Sequence, residues 1–290
     1  VTNFVKRLKG LAAMASAAAT AGAVSIGAAI AAQPKPWEMD LQPASTEVMA
    51  DIRWFESFTF WIITVITLFV LALLIIVCVK FAAKKNPVPS RTTHHTMIEV
   101  VWTIAPILIL LVIAIPSFRL LYKEIVIPEA DMTVKVTASK WYWSYEYPDN
   151  DDIAFDSYML EDDAITDPIK QPRLLAVDNP MVVPVGKTVR VQVTAADVIH
   201  SFAMPAFGVK MDAMPGRLNE TWFKADHEGT FYGQCSELCG QRHAFMPIEI
   251  RVVSDAVYAQ WAAAAKDDID AATQLLATLE EQKDAEVASR

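Results

Sequence analysis

A membrane-anchored all-β protein is what the sequence predicts, and three observations predict it. Two long runs without a charged residue lie in the first half of the chain. The second half alternates apolar and polar residues at period two, the signature of half-buried strands. Hydrophobic residues make up 53% of the 290 residues and mean hydropathy is +0.28, too apolar for an ordinary soluble chain of this length. The expected architecture is therefore a hairpin of two transmembrane helices followed by an exported antiparallel sandwich or barrel.

The elements follow in chain order. Lys6, Arg7 and Lys9 precede an apolar, Ala-rich run from Leu11 to Ile30, and small residues Ala29 and Ala31 stand before Gln33. This pattern predicts a signal peptide over residues 1–32, with export of the segment at 33–56. From Phe58 to Val79 and again from Val100 to Phe118 the chain carries about twenty uncharged residues, enough to cross a bilayer as a helix. These runs make a transmembrane hairpin over 57–121, with Pro106 and Pro116 expected to bend its second helix. The connecting loop at 80–97 holds Lys80, Lys84, Lys85 and Arg91, so it should face the cytoplasm and leave both outer ends outside. Thr96 to Glu99 reads as a capping box at the start of the second helix. That reading alone gives Glu99 a structural job.

Beyond Tyr122 the period changes. "MTVKVTASKWYWSYEY", "VPVGKTVRVQVTA" and "MPIEIRVV" alternate, with Gly, Pro and Asp-rich turns between, and predict a sandwich or barrel over 122–255. Glu161 to Gln171 is acidic and Pro-interrupted, hence a surface loop. The Ala-rich, mixed-charge stretch at 256–290 predicts a surface helix with a free tail. Neither a Gly-rich phosphate loop nor a Ser-His-Asp set is present, and no nucleic-acid partner is expected.

The chemistry concentrates in "GQCSELCGQRHAFM", Gly233 to Met246. It holds Cys235, Cys239, His243 and Met246 on one loop, flanked by Gly233 and Gly240 as turn residues. His200 ends a predicted strand upstream. Thiolate, imidazole and thioether together suit copper, and a thioether argues against zinc. One Cys, two His and a weak axial Met hold a single blue copper; here the sulfur is doubled, so two bridging thiolates can hold two coppers. Each copper would have one His, with Met246 and the Glu237 carbonyl as weak axial ligands. With every position filled by protein, such a centre relays electrons rather than binding substrate. A Cys235–Cys239 disulfide and a structural zinc site account for fewer of these residues.

"GQCSELCGQRHAFMPI", "DVIHSF", "DAMPGRLNETWF" and "KWYWSYEYP" resemble subunit II of the haem-copper cytochrome c oxidases, of the alphaproteobacterial and mitochondrial type. The resemblance runs from the first span to the last strand. It implies a cupredoxin-like sandwich carrying the dinuclear copper centre CuA, with His200, Cys235, Cys239, His243 and Met246 as side-chain ligands and Glu237 as a carbonyl ligand. It further implies a Mg or Mn ion shared with subunit I through the Glu237 carboxylate, and haems only in that partner. Trp141 is then the point where electrons arrive from cytochrome c, and Glu99 the mouth of a proton pathway. Glu146, Asp156, Asp178 and Asp197 become the docking carboxylates for cytochrome c. The implied function is acceptance of electrons from cytochrome c and their relay to subunit I, supporting oxygen reduction coupled to proton pumping. The implied setting is a bacterial inner membrane with the copper domain on its periplasmic side, in company with subunit I and subunit III. A membrane-anchored copper-delivery protein also carries Cys-x-x-x-Cys and a distant His, but leaves His243, Met246 and the second span without a purpose. A quinol-oxidase subunit lacks the copper ligands, a nitrous oxide reductase needs a further multi-copper domain, and no Cys-x-x-Cys-His marks a fused haem domain.

Overall fold

A computed structural model describes residues 33–150 and 153–289; the signal peptide expected over 1–32 lies outside them. Helix α1 spans Glu47–Lys80 and helix α2 spans Thr96–Ile125. Both are long and apolar enough to cross a membrane, with mean hydropathies of 3.3 and 2.7 over their most apolar stretches. They run antiparallel, and the ends nearest the sandwich are tied by Lys123, whose ammonium lies 2.7 Å from Glu47 and 2.6 Å from Asp51. Helix α2 continues through Pro106 and Pro116 without a break in assignment.

Two helix starts differ from the sequence reading. Helix α1 begins ten residues inside the segment expected to precede the hairpin. Thr46 is its N-cap: the hydroxyl accepts from the Met49 amide at 3.0 Å and donates to the Phe207 carbonyl at 2.8 Å. Capping and docking on the sandwich are thus one contact, and it draws the helix out of the membrane to meet the domain. Helix α2 is capped by His95, not Thr96. Thr96 is already helical, while the His95 ring accepts from the Ile98 amide and Glu99 accepts from the His95 amide at 3.3 Å. The reciprocal logic of a capping box holds, one residue earlier than read.

The exported domain is a two-sheet sandwich. Strands β1 (Met132–Ser139), β2 (Tyr142–Tyr147), β3 (Ile153–Ser157), β5 (Val189–Ala195) and β8 (Asn219–Phe223) form one sheet in the order β3-β2-β1-β5-β8. Strands β4 (Met181–Pro184), β6 (His200–Met204), β7 (Val209–Ala213), β9 (Gly229–Cys235) and β10 (Pro247–Val253) form the other in the order β4-β10-β9-β6-β7. Pairing is mostly antiparallel, as expected, but β1–β5 and β10–β4 are parallel, because in each case the chain crosses between sheets before returning. The period-two pattern does its work cleanly in β1 and β5. Val134 and Val136 on one, Val189, Val191 and Val193 on the other, are fully buried, while Lys135, Arg190 and Gln192 face outward.

The C-terminal stretch forms two helices, α3 (Asp255–Ala265) and α4 (Ile269–Ala288), folded back on the domain. Trp261 is completely buried against Tyr147, Phe155 and Tyr258, and Arg251 on β10 is paired with Glu249 and with Glu280 on α4. The expectation of one surface helix with a free tail gives way to a docked helical pair. Trp261 seats it, invisible to periodicity, together with the buried Ala262, Ala265, Ala272 and Leu276.

Candidate metal centre

Strand β9 ends at Cys235, and β10 begins at Pro247; the ligand loop lies between them. Gly233 serves this site by close approach rather than by turning. A Cβ there would stand 2.0 Å from the Ala203 carbonyl on neighbouring β6. Gly240 is the turn residue, at φ +123°, and a Cβ there would press on the Trp141 ring at 3.0 Å. His200 opens β6 rather than ending a strand. Strand β5 stops at Ala195, and Asp197 turns the chain by accepting from the Val198 amide at 2.6 Å.

The structure brings the predicted ligand residues together. Cys235 Sγ and Cys239 Sγ are 3.9 Å apart. His200 Nδ1 lies 3.9 Å from Cys235 Sγ, and His243 Nδ1 lies 3.6 Å from Cys239 Sγ, so each sulfur has its own imidazole. Met246 Sδ is 3.6 Å from Cys239 Sγ, and the Glu237 carbonyl oxygen is 3.3 Å from Cys235 Sγ. The ligand atoms of His200, Cys235 and Cys239 all fall within 4.8 Å of one another. His200, Cys235, Cys239 and Met246 are buried, while His243 is half-buried.

This donor set fits copper. Sulfurs 3.9 Å apart are too far for a disulfide, whose S–S bond is about 2.05 Å. They are close enough to share an ion at metal–thiolate lengths of about 2.3 Å. Two imidazoles, one on each side, and two weak donors complete a soft set that zinc does not call for.

Electrostatics prepare the pair for one charge before the second. Burial opposes ionisation of Cys235, but hydrogen bonding from the buried His200 imidazole and from nearby backbone outweighs it and lowers the thiol pKa. Cys239 goes the other way, raised by burial and then by the negative charge of Cys235 beside it. A metal that needs both thiolates must therefore displace a held proton.

Among the residues around the cluster, Trp143 and Tyr158 escaped the sequence reading. Trp143 is fully buried, donates from Nε1 to the Met246 carbonyl at 3.2 Å and meets the His200 ring edge-on, with ring centroids 6.3 Å apart. Trp141 is half-buried and donates from Nε1 to the Cys239 carbonyl at 3.3 Å, so its ring is one hydrogen bond from a ligand residue. Tyr158 is exposed and stacks on Tyr142 at 4.7 Å. Tyr158 gathers two of the expected docking acids: its hydroxyl donates to Asp156 at 3.4 Å and its amide to Asp178 at 2.8 Å. Glu146 shares the outer face of the same sheet and pairs with Lys135 at 2.8 Å. Asp197 stands apart and turns inward, to His200 at 3.0 Å. Glu99 is remote from the whole cluster, at the far end of α2. An alternation of aromatic residues along β2 was the available signal for Trp143. Nothing in the sequence marked Tyr158.

Comparisons with known proteins point to one family. Residues 132–253 match a family model described as the periplasmic domain of cytochrome c oxidase subunit II, and residues 34–120 match one described as its transmembrane domain. The chain is 51% identical over 233 residues to a probable cytochrome c oxidase subunit 2 of Rickettsia bellii (strain RML369-C), covering 80% of this chain and 86% of that one. It is 47% identical over 261 residues to cytochrome c oxidase subunit 2 of Cereibacter sphaeroides, covering 84% and 86%. The crystal structure of the periplasmic domain of subunit II of cytochrome oxidase from Bradyrhizobium japonicum is 63% identical, with a TM-score of 0.46, over 50% of this chain and 99% of that one.

Proposed function

This chain belongs to the cytochrome c oxidase subunit II family, and we propose that its sulfur–imidazole cluster holds the dinuclear copper centre CuA, which takes electrons from cytochrome c and passes them to the haem of subunit I. The observation that carries the reading is the pairing of one imidazole with each of two thiols that are themselves 3.9 Å apart. When bound, the copper pair supplies a one-electron relay whose charge is spread over two ions and two sulfurs. The chain's own residues do the rest. Cys235, Cys239, His200 and His243 would hold the pair, with Met246 and the Glu237 carbonyl as the weaker donors.

The buried walls keep the site dry and its donors fixed, so little rearrangement accompanies a change of charge. Trp143 holds the Met246 backbone in place. Trp141, bonded to the Cys239 carbonyl, offers the short route from the surface to a bridging ligand. Glu146, Asp156 and Asp178 steer the donor. The Glu237 carboxylate, exposed beside the cluster, would share a Mg or Mn ion with subunit I. Glu99 stands at the cytoplasmic mouth of a proton pathway into that subunit. The setting is a bacterial inner membrane with the copper domain on the periplasmic side and subunit III as a further neighbour.

Met246, whose sulfur faces Cys239 at 3.6 Å, favours a relay over a copper-delivery role. Delivery requires an exchangeable site, and a fourth protein donor closes it. The test is copper content and absorption of the assembled enzyme after Cys235→Ser or Cys239→Ser. Removing one bridge should abolish the mixed-valence near-infrared band, leave at most one copper and stop turnover. Retention of the full band in either variant would show that the thiols do not bridge.

A further inference from the structure

Asp197, expected to be a docking carboxylate, is exposed and yet also reaches inward to the cluster. Strands β1 and β5 run parallel with Ala138 opposite Ala195, and the Ala196 amide donates to the Ala138 carbonyl at 2.9 Å. The two strands end side by side. The turn after β1 carries Lys140 and Trp141; the turn after β5 carries Asp197 and leads to His200. The sheet register alone therefore sets Asp197 between the indole and the imidazole.

Its oxygens are divided between the two turns. Oδ1 lies 3.0 Å from His200 Nε2 and accepts from the Val198 amide at 2.6 Å. Oδ2 accepts from the Lys140 amide at 2.9 Å. An ionised carboxylate has no proton to give, so the His200 Nε2 must carry the hydrogen. In the neutral ring that a metal requires, the lone pair then belongs to Nδ1, the nitrogen that faces Cys235 Sγ. His200 is fully buried, and among the described residues this carboxylate is the side chain bonded to its outer nitrogen. Imidazole ligands are commonly oriented in this way by an outer carboxylate, and losing it typically costs about 10- to 100-fold in metal affinity or activity.

We propose that Asp197 is a positioning residue in addition to any part it has in docking: one oxygen fixes the ligating orientation of His200 and the other pins the backbone that leads into Trp141. The metal centre and the indole are thereby held as one unit, joined from one side through Asp197 and from the other through the Trp141–Cys239 bond. The inference rests on the copper reading above.

The test uses the assembled, copper-loaded oxidase and compares Asp197→Ala with Asp197→Asn. Copper content, the near-infrared and paramagnetic resonance spectra, and the salt dependence of KM for cytochrome c are measured together. Asp197→Ala removes both bonds. It should shift the copper spectra and lower copper affinity or kcat about 10-fold, whatever it does to KM. Asp197→Asn keeps an acceptor for Nε2–H and loses the second oxygen at Lys140. Its spectra should return most of the way to wild type while kcat stays reduced. If Asp197→Ala does not assemble, Asp197→Asn decides alone. Wild-type spectra and kcat with a raised KM and a flattened salt slope would make Asp197 a docking carboxylate and overturn the proposal. Copper missing from the unmutated enzyme would instead overturn the copper reading itself.

Discussion

Glu99 has a local job in the structure and a distant one in the proposed function. Locally it accepts from the His95 amide at 3.3 Å, completing the cap of α2. If that were its whole role, Glu99→Gln would cost about 1 kcal/mol at most, since Gln can accept the same bond. The proton-pathway role predicts more: slowed turnover in an enzyme with normal copper spectra and normal assembly. Wild-type turnover in the assembled variant would return Glu99 to a cap. At this scale the sequence was legible where chemistry is dense and local. Cys235, Cys239, His243 and Met246 lie on one loop, and their side chains could hardly serve another purpose together. The bond from Asp197 to His200 was not legible, for the opposite reason. Its direction depends on the register of β1 against β5, which no local pattern encodes.

The elements repeat the lesson with larger pieces. Both membrane helices announce themselves by length and hydropathy, and the strands by alternation. The start of α1 did not, because it depends on Thr46 finding the Phe207 carbonyl on a turn far away in sequence. Nor did the docking of α3 and α4, which lie beyond residues 132–253, the stretch matched by the family's domain. An Ala-rich helix has no strong face, and its seat is made by Trp261 in the aromatic core with Tyr147 and Phe155. Ion pairs at Arg251–Glu280 and Lys283–Glu228 add registry at the edge. Burial of a whole indole outweighs such partly exposed pairs. Trp261→Ala should therefore destabilise the exported domain by about 3–5 kcal/mol, read as a lower denaturant midpoint with the copper spectrum intact before unfolding. A loss below about 1 kcal/mol would mean that the helical pair is not integral to the core.

At the scale of the whole molecule the question, on the proposed function, is how a basic electron donor would find Trp141. The chain carries a formal charge of −9, but net charge only sets the sign of the attraction. Location comes from β2 and β3, whose outer faces present Glu146 and Asp156, and from the turn at Asp178. The stacked Tyr142–Tyr158 pair lies among them, next in sequence to the indole. Glu146 is paired with Lys135, yet its removal still raises the net charge by one, because the lysine stays. Steering depends on that net field, and at an ionic strength of 0.1 M it is screened over about 10 Å. Neutralising Glu146 and Asp156 together, as Glu146→Gln with Asp156→Asn, should raise KM for cytochrome c and flatten its dependence on salt, leaving copper unchanged. Trp141→Phe should separate binding from transfer. It keeps an aromatic surface but loses the Nε1 bond to the Cys239 carbonyl, so KM stays near wild type while electron transfer into the copper centre slows. The two variants thus have opposite signatures in the same assay. Salt dependence indistinguishable from wild type in the double variant would move the docking face elsewhere on the domain, and an unslowed Trp141→Phe would move the electron route with it.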